Sequence, residues 1–253
     1  MNNLTYITYQ TFPAFTANSI QTMSNIKYLV KQGFNVTLFF PLREKTSTDN
    51  SRELKEFYSI KEDFKIVGSK HNLPFGKVDA FNRLLFLFSH LIWSYSSVNK
   101  LIKEKPGSEL FFTRSDWVFL FLSRKNRKVV FECHQYTKIR KYLINKALKK
   151  ETSKGIFLNK NLKDAYEKKY ILKNNYIILH NGVDLENYSS IVDKKKNEIV
   201  FVGKLKRFGK TRNIDFLLKA IKSLDKKYSL KIVGADKSEI LDLEKQSKRP
   251  KYW

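Results

Sequence analysis

The chain has one cysteine, Cys133, so no internal disulfide can form, and a reducing compartment suits it. Its four histidines, His71, His90, His134 and His180, are too dispersed for a zinc pattern, and the lone thiol adds nothing to them. No metal is expected. The best candidate for a membrane span, LLFLFSHLIW at 84–93, is about half of the ~20 residues a spanning helix needs. The opening MNNLTYITYQ has neither a basic start nor a continuous apolar region, so no secretory leader is expected and the cytoplasm is the expected address. There is no Gly-x-Ser-x-Gly elbow. GKLKRFGKT at 203–211 puts one residue too many between its glycines for a nucleotide-triphosphate loop. No glycine precedes Gly33, so the first strand–helix turn has no glycine-rich phosphate cradle.

Acidic residues are also scarce: 24 against 49 lysines and arginines, a net charge of +25. That balance suits polyanionic partners, whether nucleic acid, an anionic membrane or phosphorylated ligands. The basic residues are spread along the chain with no basic tail, so a solvated Lys-rich surface carries equal weight.

What is present is a repeating alternation. LTYITYQTF (4–12) has strand composition. Ile20, Met23, Ile26, Leu29 and Val30 follow at helical spacing, and Gly33 is placed to stop that helix. FNVTLFFP (34–41), FKIVG (64–68), the strand in PGSELFFTRS (106–115), KVVFECHQY (128–136), KGIFLN (154–159) and NYIILHN (175–181) read as further strands. Between them lie a short helix within 42–63, a long helical pattern over 77–103, a buried helix in WVFLFLS, and helices over 137–150 and 161–170. The pattern restarts after residue 190 with EIVFVGKL (198–205), a helix face from Ile214 to Leu224, YSLKIVGAD (228–236) and a last amphipathic helix. Alternating strands and helices predict an α/β fold with a parallel sheet, and ligands in such sheets bind beyond the carboxyl ends of strands.

Four segments in order carry a resemblance. They are TANSIQTMSNIKYLVKQGFNVTLF, then FFTRSDW with VVFECHQY, then ILHNGVDLENY, then IVFVGKLKRFGKTRNIDFLLKAI. Together the chain resembles the retaining glycosyltransferases of GT-B fold, the family-4 or "glycosyl transferases group 1" type. The Asn-Gly-Val-Asp of the third segment is the most specific. The resemblance implies a Rossmann-like acceptor-side domain over 1–180, an interdomain linker over 181–197 and part of a nucleotide-sugar domain over 198–253. Asn181-Gly182 is a turn pair on its own chemistry, and the resemblance makes that turn the exit from the first domain. Asp184 is expected to cap the next segment.

The implied chemistry moves a sugar from a nucleotide-sugar donor, a co-substrate rather than a resident cofactor, to a hydroxyl of a glycan or lipid-linked acceptor. The diphosphate leaving group calls for cations and backbone N–H donors. Gly203, Lys204, Lys206, Arg207 and Lys210 supply both in the basic loop, ahead of a helix N-terminus. Lys204 stands where the family has Arg, and Gly209-Lys210 inverts its Lys-Gly. The resemblance puts His134 near the reacting face of the sugar. Glu132, two residues earlier on the same strand face, is placed to orient His134 or to sit in a salt bridge. Asn18 and Ser19 offer groups to a phosphate or acceptor, or cap the first helix. Arg114 reaches the acceptor or pairs with Asp116.

The family's Glu-x7-Glu donor segment has no counterpart after Lys237, where Glu239 and Glu244 lack the pattern. The sequence therefore reads as a piece of a longer enzyme of cell-surface polysaccharide or lipid-linked glycan synthesis. The alternatives are an inactive sugar- or nucleotide-binding remnant and, on charge alone, a nucleic-acid-binding protein. No recognition motif supports the last, and nucleic acid is not the expected partner. The aromatic helix over 81–95 suits peripheral adhesion to an anionic membrane face, but core packing is the reading the pattern favours.

Overall fold

The computed structural model describes residues 2–43, 47–73, 80–104, 109–136, 138–167, 175–185, 195–203, 205–207, 210–235 and 239–240. The chain divides into two compact units, Met1–Asp184 and Leu185–Trp253.

The first unit alternates strand and helix. It runs β1 (Asn2–Ile7), α1 (Ala17–Lys31), β2 (Phe34–Leu42), α2 (Ser51–Tyr58), β3 (Lys65–Lys70), α3 (Ala80–Glu104) and β4 (Leu110–Thr113). It continues through α4 (Asp116–Arg124), β5 (Val129–Cys133), α5 (Lys138–Leu148), β6 (Ser153–Phe157), α6 (Lys160–Glu167) and β7 (Tyr176–Ile178). The seven strands form one sheet in the order β3-β2-β1-β4-β5-β6-β7, every pair parallel. The chain steps outward from β1 to β3, then returns to place β4 on β1's other side. The strand order therefore reverses between β1 and β4.

A parallel sheet must be covered on both faces, so its strands carry large apolar groups on both. One core holds Ile7, Phe39, Phe111, Phe131 and Phe157 with residues of α3, α4 and α5. The other holds Leu4, Tyr6, Leu38, Phe40 and Phe112 with Met23 and Ile26 of α1 and Leu54 of α2. The alternation along β1 and β2 follows the two-residue period of a strand. Each fully buried Phe contributes about 1.5–3 kcal/mol. Ile20, expected on the inner face of α1, is half exposed.

The start of α1 corrects one expectation. Its N-cap is Thr16, not Asn18 or Ser19. Ser19 is the N3 partner of a capping box: its N–H donates to Thr16 Oγ1 at 3.2 Å and its hydroxyl donates to the Ala14 carbonyl at 2.5 Å. Such a box contributes about 1 kcal/mol. Ser19 is fully buried in this role and has no group left for a ligand.

The second unit contains β8 (Glu198–Val202), a hairpin of β9 (Lys206–Arg207) and β10 (Lys210–Thr211), α7 (Ile214–Ser223) and β11 (Ser229–Val233). β8 and β11 pair in parallel, and Leu205, Ile214, Leu218, Ile221 and Leu230 make their core. The hairpin is a second correction. The basic stretch does not run from strand to helix as one loop; β9 and β10 pair antiparallel inside it. The predicted helix beyond Ile240 lies outside the described residues.

Candidate active site

The point where the strand order reverses is where an open parallel sheet leaves a crevice beyond its strand ends. A cavity of about 200 Å³ lies there. β1 delivers Thr8, Tyr9 and Gln10 to it, β4 delivers Arg114 and Ser115, and β5 delivers His134 and Gln135. Asn18 of α1, His90 of α3 and Arg140 of α5 complete the polar wall. His134, Arg114 and Asn18 are thus brought together, as their positions after strand ends predict.

His134 is mostly buried, with Nε2 2.9 Å from Glu132 Oε1 but off the line of a hydrogen bond. Glu132 is held from the other side. Gln21 Nε2 donates to it at 3.3 Å and Asn25 Nδ2 at 3.1 Å, both from α1. The carboxyl group also faces a second cavity, of about 320 Å³, between α1 and the segment that follows β7. Glu132 therefore stands between His134 on the wall of the first cavity and the α1 amides on the wall of the second. Gln21 and Asn25 were not singled out from sequence. Their spacing of four places them on one helix face, a signal with no meaning until the facing carboxylate is known.

Arg114 does not pair with Asp116. Its Nη1 donates to the Asn18 carbonyl at 3.5 Å, and the guanidinium lines the cavity. Asp116 faces Arg140 instead, with Nε 3.7 Å away. Burial raises the pKa of Asp116 although Arg140 pulls it back.

The inner wall is a group of rings missed at the sequence level. His90 stacks on Tyr9 at 4.4 Å, and its Nε2 meets Ser115 Oγ at 2.7 Å. His71 Nε2 lies 2.8 Å from Ser89 Oγ, which contacts the Tyr9 hydroxyl at 2.6 Å. Arg43 lies over the Tyr9 ring at 4.1 Å. Burial first, then nearby arginines, lowers the His90 pKa to about 3; burial and Arg43 lower that of His71 to about 4. Both rings are neutral at pH 7.

This has a consequence for stability. A histidine with a depressed folded pKa binds its proton in the unfolded state first, so folding weakens as pH falls below about 6.5. For His90 alone the loss between pH 7 and pH 5 comes to about 2 kcal/mol. Urea unfolding at the two pH values measures it, and His90→Gln is expected to flatten the difference.

The segment after β7 belongs to the first unit and is stitched to α1. Gln21 Nε2 donates to Asn181 Oδ1 at 2.7 Å. Asp184 accepts from Lys27 Nζ at 2.8 Å and from the Tyr28 hydroxyl at 2.9 Å. These contacts tie Asp184 to α1; the segment that Asp184 is expected to cap lies outside the described residues beyond Leu185.

In the second unit, β8 and β11 end side by side on glycines at positive φ, +139° at Gly203 and +93° at Gly234. A Cβ on Gly203 would lie 2.6 Å from Arg212 Nη1, so the Arg212 guanidinium sits against the strand end. Sequence reading did not single out Arg212, which lies beyond the basic run. Lys204 lies outside the described residues. Lys206, Arg207 and Lys210 are placed on the hairpin by their backbone.

No protein-family model matches the chain, and no curated protein is similar in sequence. Solved structures are similar in fold. HepE from Anabaena, in complex with UDP, is 13% identical with a TM-score of 0.57, over 97% of this chain and 65% of that one. A glycosyltransferase from Rickettsia africae is 14% identical with a TM-score of 0.59, over 97% and 63%. WaaG, a glycosyltransferase involved in lipopolysaccharide biosynthesis, is 13% identical with a TM-score of 0.55, over 96% and 66%. What is shared is the GT-B fold: a Rossmann-like unit followed by the start of a second. The chain spans about two thirds of the length of these structures.

Proposed function

We propose that this chain is the acceptor-side unit and the beginning of the donor-side unit of a glycosyltransferase. It would pass a sugar from a nucleotide-sugar to an acceptor hydroxyl in cell-surface polysaccharide or lipid-linked glycan synthesis. The observation that carries this is the polar cavity where the strand order reverses, with His134 on its wall and Glu132 behind. The fold it shares with HepE, solved with UDP, and with other glycosyltransferases supports the assignment.

Each unit has a chemical task. In the first, the cavity holds the acceptor, with Arg114 and Asn18 as polar contacts. His134, kept in place by Glu132, hydrogen-bonds a hydroxyl of the reacting sugars. In the second, the departing diphosphate is met by Arg212, Lys204 and Lys210 beside the strand end at Gly203, whose own N–H is spent on the Val233 carbonyl at 2.8 Å. Charge developing on the leaving group is what such donors stabilise most. The donor is a co-substrate. The working site is the cytoplasmic side of the cell membrane.

Calorimetric titration of the chain with UDP and UDP-glucose, with a DNA duplex as control, tests the donor side. Saturable UDP binding weakened by Arg212→Ala supports the proposal. Salt-sensitive DNA binding with no response to UDP overturns it in favour of a nucleic-acid partner. Tight UDP binding with no transfer to any acceptor would identify an inactive remnant instead.

A further inference from the structure

α3 reverses the usual arrangement of an amphipathic helix. Its inner face carries Ser89, His90, Ser94 and Ser97, all buried. Its outer face carries Leu84, Leu87, Phe88, Ile92 and Tyr95, between 39% and 60% exposed. The outer residues fall three and four apart, so they form one stripe rather than scattered single exposures, over about 17 Å of helix. Core packing, the reading favoured from the pattern, accounts for Trp93, Val98 and Leu101 but not for this stripe.

The stripe widens onto the neighbouring helix. The Tyr95 ring meets Phe121 of α4 at 5.6 Å, and Phe121 stacks with Trp117 at 6.1 Å. Both helices end in exposed cations: Lys100 and Lys103 on α3, Arg124 and Lys125 at the end of α4. Glu104 balances Lys100 alone, at 3.8 Å. No helix among the described residues is long and apolar enough to cross a membrane.

We infer that the outer face of α3 docks onto an anionic lipid surface, its Leu, Phe and Ile side chains entering the acyl boundary and its terminal cations among the headgroups. An apolar stripe ending in lysines on a helix too polar to span is the pattern of an interfacial helix. Contiguous exposed apolar surface needs a partner, and charge selects among them. A second copy would bring two chains of net charge +25 together, which repel. An anionic bilayer attracts each lysine and arginine near its surface. The inference is independent of the reaction proposed above.

The test is sedimentation of the full chain with vesicles of phosphatidylcholine doped with phosphatidylglycerol, against pure phosphatidylcholine. The chain is expected to pellet with the doped vesicles. Phe88→Glu with Ile92→Glu is expected to weaken that by roughly tenfold or more, and Lys100→Glu with Lys103→Glu to erase the preference for anionic lipid. A label on Phe88→Cys gives a second readout, since Cys133 is 1% exposed and does not compete for it. An environment-sensitive fluorophore there should shift to the blue on doped vesicles. No binding to doped vesicles, binding untouched by the glutamates, or a silent fluorophore overturns the inference. A dimer in ultracentrifugation that Phe88→Glu dissolves would assign the face to a second copy.

Discussion

His134→Ala is expected to lower sugar transfer by roughly 10²-fold or more and to leave UDP affinity unchanged. His134 stands on the cavity wall of the first unit, while Arg212, proposed for the diphosphate, belongs to the second. Glu132 reaches the cavity only through His134, so it is a positioning residue. Glu132→Gln keeps the shape and one of the two oxygens that accept from Gln21 and Asn25, but loses the other acceptor and the negative charge facing Nε2. Its expected effect is smaller. Separate kcat and KM values distinguish the cases: a modest loss in kcat with KM unchanged for Glu132→Gln, and the larger loss for His134→Ala. Equal losses in both would mean that the pair only holds β5 in place.

The second large effect is expected from Lys27→Ala. Lys27 and Asp184 are each about nine-tenths buried, and their ion pair joins the middle of α1 to the end of the first unit. A buried pair stabilises little as a whole, because desolvation offsets most of the attraction. Removing one partner is different, since it strands the other charge. Lys27→Ala should therefore cost about 3 kcal/mol in urea unfolding, since the Tyr28 hydroxyl that also donates to Asp184 carries no charge to replace the ammonium. Combining it with Asp184→Asn should recover a large part of the loss. If the single and double variants lose the same amount, the cost is packing of the lysine stem and not the stranded charge.

The strand–helix alternation was legible because each strand is an apolar run bounded by turn chemistry, and the two-sided burial of a parallel sheet makes such runs continuous. His134, Glu132 and Arg114 were findable for a related reason: each lies at the end of its strand, and strand ends converge. Polar partners chosen by tertiary packing were not legible. Asp116 takes Arg140 rather than Arg114 because α5 brings Arg140 alongside, which no spacing rule contains. Asp184 is claimed by α1, 156 positions away at Tyr28. Ser19 was misread because capping preferences allow several residues in TANS, and only the Ala14 and Thr16 contacts choose among them. The hairpin in the basic stretch escaped notice because two-residue strands leave no period to read. On α3 core packing holds for Trp93, Val98 and Leu101, while Ser89 and His90 turn inward to Tyr9, His71 and Ser115, partners that no helical spacing names.

The central claim is acceptor-dependent transfer from a nucleotide-sugar. The most direct measurement is nucleoside diphosphate release by the chain from UDP-sugars, with and without a lipid-linked glycan extract as acceptor. The account predicts release that rises when the extract is added, with label from the sugar entering the glycan and both signals lost in His134→Ala. Release that ignores the extract, or no release in a chain that still binds UDP, would contradict it.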